Sequence, residues 1–287
     1  MGEPFYCGHD DEWAFFAKTY EAVLRPITEA HDTLLAFLQR VDPSGQQQTV
    51  LHMLGQCVLK EFEEILLLAG NGYGSGCLKL LRALYERVVT LGYLAQNPEK
   101  VQQFIDYSDV HWHKLIAEAQ AVHSEAPLAA ERVQDIEARF DAVRENFTET
   151  LCKVCGTKKL QISWTKAPIH TQASKVHEML RNILFNAYLR PTFFLHTTYF
   201  GITQLTQLTP EGKLGMMSRN IEHLAARDAL ALAHLLLLQA MDSLNTVFKL
   251  NESETLQVFT ATWVESWEAV PEFALNKREL PPTERQP

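Results

Sequence analysis

Residues Gly70–Glu99 read GNGYGSGCLKLLRALYERVVTLGYLAQNPE, and the fold class turns on them. A glycine-rich turn delivers the chain into a run that is apolar at nearly every helical position, which predicts a buried helix over about 75–95. Arg82 and Glu86 stand four residues apart in it, the spacing that puts guanidinium and carboxylate on one helix face. In a helix this apolar the pair is expected inside a helical core, where charges must be partnered. Asn97-Pro98-Glu99 then closes the run as an N-cap followed by proline at the first position of the next helix.

The same periodicity extends in both directions. Trp13, Phe16, Tyr20, Val23, Leu24, Ile27, Leu34, Leu35 and Leu38 recur at three- and four-residue steps, predicting one helix over 11–38. Asp42-Pro43-Ser44-Gly45 breaks it, and a second helix is expected over 47–69 with Glu61, Glu63 and Glu64 at solvent edges. Beyond the Gly70–Glu99 stretch, helices are expected over 98–123, 128–151, 172–189, 191–204, 219–250 and 253–270. The 128–151 helix carries only a narrow apolar stripe (Val133, Ile136, Phe140, Val143, Phe147), as in a protruding arm packed on one side. The pattern fails between Cys152 and Thr171, which reads as an irregular loop with a short extended piece around Leu160–Trp164. No period-2 strand set occurs. The expected fold is an all-α, multi-helix bundle of antiparallel helices, one domain over residues 1–275 with a disordered tail over 276–287.

Composition narrows the function classes. The 287 residues are 46% hydrophobic and 21% charged, ordinary for a globular chain, and the net charge of −9 argues against broad, non-specific nucleic-acid binding. The N-terminus MGEPFYCGHDDEW lacks the basic and apolar regions of a secretory signal, and the most apolar run, 229–238, is too short to span a bilayer. Five dispersed cysteines read as reduced thiols. A cytoplasmic location without membrane attachment is expected.

Motifs exclude more chemistry than they assign. Walker A, nucleophile-elbow and HExxH sequences are absent, as are the Glu-x-x-His pairs of di-iron bundles. The 72–76 turn has no strand before it and no Lys-Ser/Thr after it, so it reads as a helix entry rather than a phosphate cradle. Cys152-x-x-Cys155 is half a zinc knuckle, and only Cys7 and His9 could complete it, so no metal or other cofactor is expected. Asp106, Asp109 and His113 share a helix face that reads as solvated. Between Leu151 and His177, Lys153, Lys158, Lys159, Lys166 and Lys175 occur with no acidic residue, either a solvated loop or a phosphate-contacting segment. After it, Thr192 and His196 fall on one face of the expected 191–204 helix, with Arg190 close by. An arginine and a histidine so spaced could stabilise a phosphorane-like charge and move a proton, the needs of RNA cleavage through the 2′-hydroxyl. The plainer reading is a buried histidine bonded to Thr192 or a carbonyl.

Several of these residues together resemble the uncharacterised, mostly bacterial family DUF5677: Leu80-Leu81-Arg82 with Glu86, Tyr93-Leu94, Asn97-Pro98-Glu99, Phe104 to Tyr107, Trp164, Ala173, Tyr188, Thr192 and His196. The likeness spans about 51–202 and implies a helical fold without an activity. The Arg190–His196 spacing is similar to the Arg-x4–6-His signature of HEPN-type ribonucleases, although Pro191 stands where that signature carries a polar residue. That resemblance implies a metal-independent ribonuclease or RNA-binding factor in defence or stress. His196 would be the general acid or base, Thr192 its neighbour, and Arg190 or Arg82 the phosphate stabiliser. The pocket would be lined by Arg82, Glu86 and Tyr188, with RNA steered by Lys158, Lys159 and Lys166. The competing expectation is a non-enzymatic helical protein-interaction module, a homodimer among its forms.

Overall fold

The structure is a computed structural model that describes residues 10–122, 128–151, 155–196, 198–208, 214–215 and 219–270. Its elements are α1 (Asp10–Thr19), α2 (Glu21–Arg40), α3 (Gly45–Gly70), α4 (Gly74–Gln96), α5 (Val101–Val122), α6 (Ala130–Val143), β1 (Thr148–Thr150), β2 (Lys158–Leu160), α7 (Ile169–Val176) and α8 (Glu178–Asn182). A π-helical turn at Phe185–Leu189 precedes α9 (Arg190–Leu195), α10 (Tyr199–Leu205), the two-residue strands β3 (Gln207–Leu208) and β4 (Leu214–Gly215), α11 (Arg219–Phe248) and α12 (Ser253–Glu268). The protein is an all-α helical bundle, and among the described residues strands occur only as two short antiparallel ladders.

Contacts gather the chain into two compact units, Met1–Ala95 with Gln172–Pro287, and Gln96–Thr171. In the first, α11 packs on α3, α2 and α12, and α12 returns against α2. Leu230, Leu236, Leu237 and Met241 of α11 are fully buried, as are Leu51, Val58, Phe62 and Ile65 of α3. By length and composition, Glu222–Phe248 is apolar enough to cross a membrane, with mean hydropathy 1.4 and 67% of its most apolar window buried in the fold. The run 229–238, read by itself as too short to span a bilayer, is the middle of that longer apolar stretch.

The helix expected over 11–38 divides at Tyr20. The Tyr20 amide still bonds the Phe16 carbonyl, while the amides of Val23 and Leu24 both return to the Tyr20 carbonyl. The break lets the buried Tyr20 ring reach both Phe16 and Trp267, with centroids 4.9 and 6.1 Å away.

The Gly70–Gly76 turn is a docking joint. Gly72 has φ +76°, the left-handed region that favours glycine. At Gly74 a Cβ would lie 1.9 Å from the Glu222 carbonyl oxygen and 2.6 Å from the Ala226 nitrogen, so backbone meets backbone where α4 starts beside α11. The Ser75 amide donates to Glu222 Oε2 at 2.7 Å, a carboxylate placed where the first amides of a helix have no intrahelical acceptor. Beside it, the buried Glu12 and His223 meet at 2.7 Å, and Phe15 stacks on the imidazole.

In the second unit α5 and α6 pair antiparallel. Asp109 accepts from Arg139 at 2.9 Å, and His113 bonds Glu137 at 2.9 Å while its ring stacks on Phe140 with centroids 3.8 Å apart. The face expected to be solvated is thus the seam between two helices. The helix expected over 128–151 stops at Val143; a 3-10 turn at Arg144–Phe147 leads into β1, which pairs with β2 in the register Thr148↔Leu160. Phe147 is fully buried against Tyr107, which fixes that turn. Expectations for the 276–287 tail fall outside the described residues.

Two outcomes follow from this packing. Helix propensity alone makes Gly74→Ala favourable by up to about 1 kcal/mol. The backbone contact instead predicts destabilisation by about 2 kcal/mol or more, read as a lower denaturation midpoint. His234 on α11 is buried, accepts a hydrogen bond from Trp267 Nε1 at 3.3 Å, and burial depresses its pKa to about 4. Protonation therefore favours the unfolded chain, whose histidine titrates near 6.5. This stabilisation is complete above about pH 6.5 and falls by about 3 kcal/mol as the pH drops to about 4. Denaturation of the wild type and of His234→Gln, which keeps an acceptor for Trp267, should show that loss in the wild type alone.

Candidate functional site

The site is built on one face of α4. Leu78, Leu81, Leu84, Tyr85, Val88 and Val89 are fully buried, whereas Lys79, Arg82, Ala83, Glu86, Arg87 and Thr90 fall at three- and four-residue steps on the remaining, partly exposed face. The sequence reading put Arg82 and Glu86 in the core. Their side chains are in fact 20% and 41% exposed, because α4 is apolar around most of its circumference but not all of it.

An ion pair whose carboxylate is buried lies one residue further along. Arg87 Nε approaches Glu61 Oε1 at 2.7 Å, and the Glu61 side chain is only 10% exposed. Burial raises the Glu61 pKa, with Arg87 opposing the shift. The charge pattern alone puts Glu61 at a solvent edge; its position three after Val58 and four before Ile65, both fully buried, is the signal that places it inward.

Around Arg82 the structure assembles four of the expected site residues. Arg82 Nη1 donates to Glu86 Oε2 at 3.1 Å, Nη2 to Tyr188 Oη at 3.0 Å, and Nε to Thr192 Oγ1 at 3.2 Å. The Tyr188 hydroxyl donates to Glu86 Oε1 at 3.1 Å, and the guanidinium lies over the Tyr188 ring, 4.5 Å from its centroid. Thr192 Oγ1 donates in turn to the Tyr188 carbonyl at 2.8 Å. Burial, then the Glu86 carboxylate, holds the Tyr188 phenol above its ordinary pKa, so it remains a donor at neutral pH. Every nitrogen of the Arg82 fork has a partner within the protein. The arrangement is a clasp between α4 and the 185–192 segment rather than an open anion receptor.

The π turn that presents Tyr188 has a local cause. Pro191 lacks an amide hydrogen and its ring would press on the carbonyl four residues earlier. The chain widens instead, with the Arg190 amide bonding the Phe185 carbonyl, five residues back. The sequence reading placed a helix end and a new start here; the chain runs through helically.

The remaining site residues lie apart from this clasp. Arg190 Nη1 pairs with Asp228 of α11 at 2.9 Å. Helix α9 ends at Leu195, so His196 leaves it in extended conformation (φ −98°, ψ 148°) with an exposed side chain. The shared helix face expected for Thr192 and His196 does not form, and the Thr192 hydroxyl is taken by Arg82 and the Tyr188 carbonyl.

The lysines of the second unit have acidic neighbours from the segment just before them: Lys158 meets Glu145 at 3.1 Å and Lys166 meets Glu149 at 3.8 Å. Lys158 and Lys159 line a cavity of about 300 Å3 with Arg144, His113 and Glu137. Lys153, Cys152, Cys7 and His9 lie outside the described residues; Cys155 is exposed, its thiol 3.0 Å from the Thr157 hydroxyl. Among the described residues no cluster of three His, Cys, Asp or Glu could hold a metal ion.

Removal of one partner from each ion pair separates the two environments. Arg87→Ala leaves the Glu61 carboxyl buried without its cation and should cost about 3 kcal/mol. Glu86→Ala removes a half-exposed carboxylate and should cost about 1–2 kcal/mol. Parallel chemical denaturation of the two variants reads the order directly.

Residues 48–213 match the family model described as "Family of unknown function (DUF5677)". No curated protein and no solved structure matches the chain.

Proposed function

The chain belongs to DUF5677, a family of unknown function, and we propose that this member is a non-enzymatic protein-interaction module of the cytoplasm that docks through residues 185–202. One observation carries the reading. Phe185, Leu189, Phe193, Leu195, Tyr199 and Ile202 are all large, apolar and exposed, from 40% at Phe193 to 86% at Tyr199. A concentration of apolar surface on one short segment is the signature of a binding face. The clasp on Arg82 supports the same reading, since it uses the polar groups as scaffold and holds the segment from behind. The pairing of Arg190 with Asp228 and the position of His196 beyond the end of α9 weigh against a ribonuclease.

Two measurements test this. Total RNA incubated with the purified protein should stay intact, with or without chelator, and His196→Ala should behave as the wild type does. Cleavage that His196→Ala abolishes would overturn the reading. A photo-cross-linking phenylalanine analogue at Phe193 should give protein adducts in cells, and an absence of such adducts would equally overturn it.

A second reading, an RNA-binding factor, is supported by the convergence of Arg144, Lys158 and Lys159 on one cavity. It requires binding that weakens steeply with salt and is lost in Lys158→Glu combined with Lys159→Glu, measured by RNA mobility shift.

A further inference from the structure

We infer that the partner at this face is a second copy of the same chain, packed about a two-fold axis through Leu189; the inference rests on the interaction-module reading and names its partner. Phe185, Leu189 and Phe193 follow one another at four-residue intervals along the π turn and α9, and all three are exposed. Four-residue steps keep them on one face through both helical geometries. The order aromatic, leucine, aromatic is the same read in either direction. In an antiparallel pairing, Phe185 of one copy would therefore meet Phe193 of the other, and Leu189 would meet its own symmetry mate. Such self-complementarity is what an isologous interface requires.

Area and charge agree. Taking about 200 Å2 for a fully exposed large apolar side chain, the six exposed residues present roughly 600 Å2. A stable interface buries about 800 Å2 per partner, so a modest rim completes it. The Thr198 hydroxyl joins the two parts of the surface: it accepts from the Gly201 amide at 2.9 Å and donates to the Phe193 carbonyl at 3.3 Å, fixing α10 to the end of α9.

From Asn182 to Thr206 the only formally charged residue is Arg190, and Asp228 neutralises it. Two chains of net charge −9 repel over most of their surfaces. A neutral apolar face is where burial can outweigh that repulsion. A basic or acidic partner would call for opposite charges around the stripe, which this stretch does not carry. The Arg82 clasp orders the segment beforehand, which reduces the entropy lost on association.

Sedimentation of the full chain should show a dimer that dissociates on dilution in the micromolar range. Phe185→Asp with Phe193→Asp should sediment as a monomer while retaining the wild-type circular dichroism. Leu189→Cys should form a disulfide-linked dimer under mild oxidation at least tenfold faster than Val258→Cys, a control at an exposed position of α12, and this comparison decides the matter if the aspartate variant fails to fold. A monomer at every concentration, or a dimer indifferent to the aspartates and with no rate advantage for Leu189→Cys, would overturn the inference. If the chain is monomeric but the analogue at Phe193 still forms adducts with another protein, only the identity of the partner is wrong. If it forms none, the interaction-module reading fails too.

Discussion

The hydrogen-bonded fork of Arg82 is the interaction on which the candidate site depends. A guanidinium offers donors in a fixed plane, so one side chain can meet a carboxylate, a phenol and a hydroxyl at once and set their relative positions. Here those partners come from α4 itself and from a segment more than a hundred residues later. The segment is short, proline-containing and widened into a π turn, so its own backbone does little to fix it. Tyr85 adds a second attachment through its hydroxyl, 2.7 Å from the Leu180 carbonyl. Since Glu86 is half exposed, the clasp sits at the boundary between core and solvent. There charge-assisted bonds keep their directionality without the full cost of burying ions.

Most of the helical architecture was legible because it rests on apolar periodicity, and periodicity survives without knowledge of neighbours. The α3, α4 and α11 helices emerged with nearly their final bounds, and the 152–171 loop emerged from the failure of the same pattern. What periodicity could not reveal was which polar residues face inward. Glu61 and Asp109 each looked solvent-facing, yet each is oriented by a cation on another helix, Arg87 and Arg139. The break at Tyr20 and the end of α6 at Val143 were hidden for a related reason. Both depend on a single aromatic side chain finding a distant pocket, which leaves no local mark.

At the candidate site the sequence grouped four residues that the structure also brings together. Arg82, Glu86, Tyr188 and Thr192 do converge, but on each other. The error over His196 has a specific origin. A helix over 191–204 would have carried Thr192 and His196 on one face, and the chain instead leaves helical geometry at His196 itself. Pro191 was read as a start signal, its commonest role. In this chain the π turn before it removes the clash that would otherwise make proline a boundary.

The π turn also sets a constraint on length. A π turn is in effect an α-helix carrying one surplus residue, its five residues turning about as far round the axis as four at α-helical spacing. Deleting one residue within Phe185–Leu189 would let the backbone relax to ordinary α-helical spacing with α9 facing much as before, but it would bring the Pro191 ring back against the carbonyl four residues earlier. The count of residues in that turn is therefore as much a part of the site as their identities.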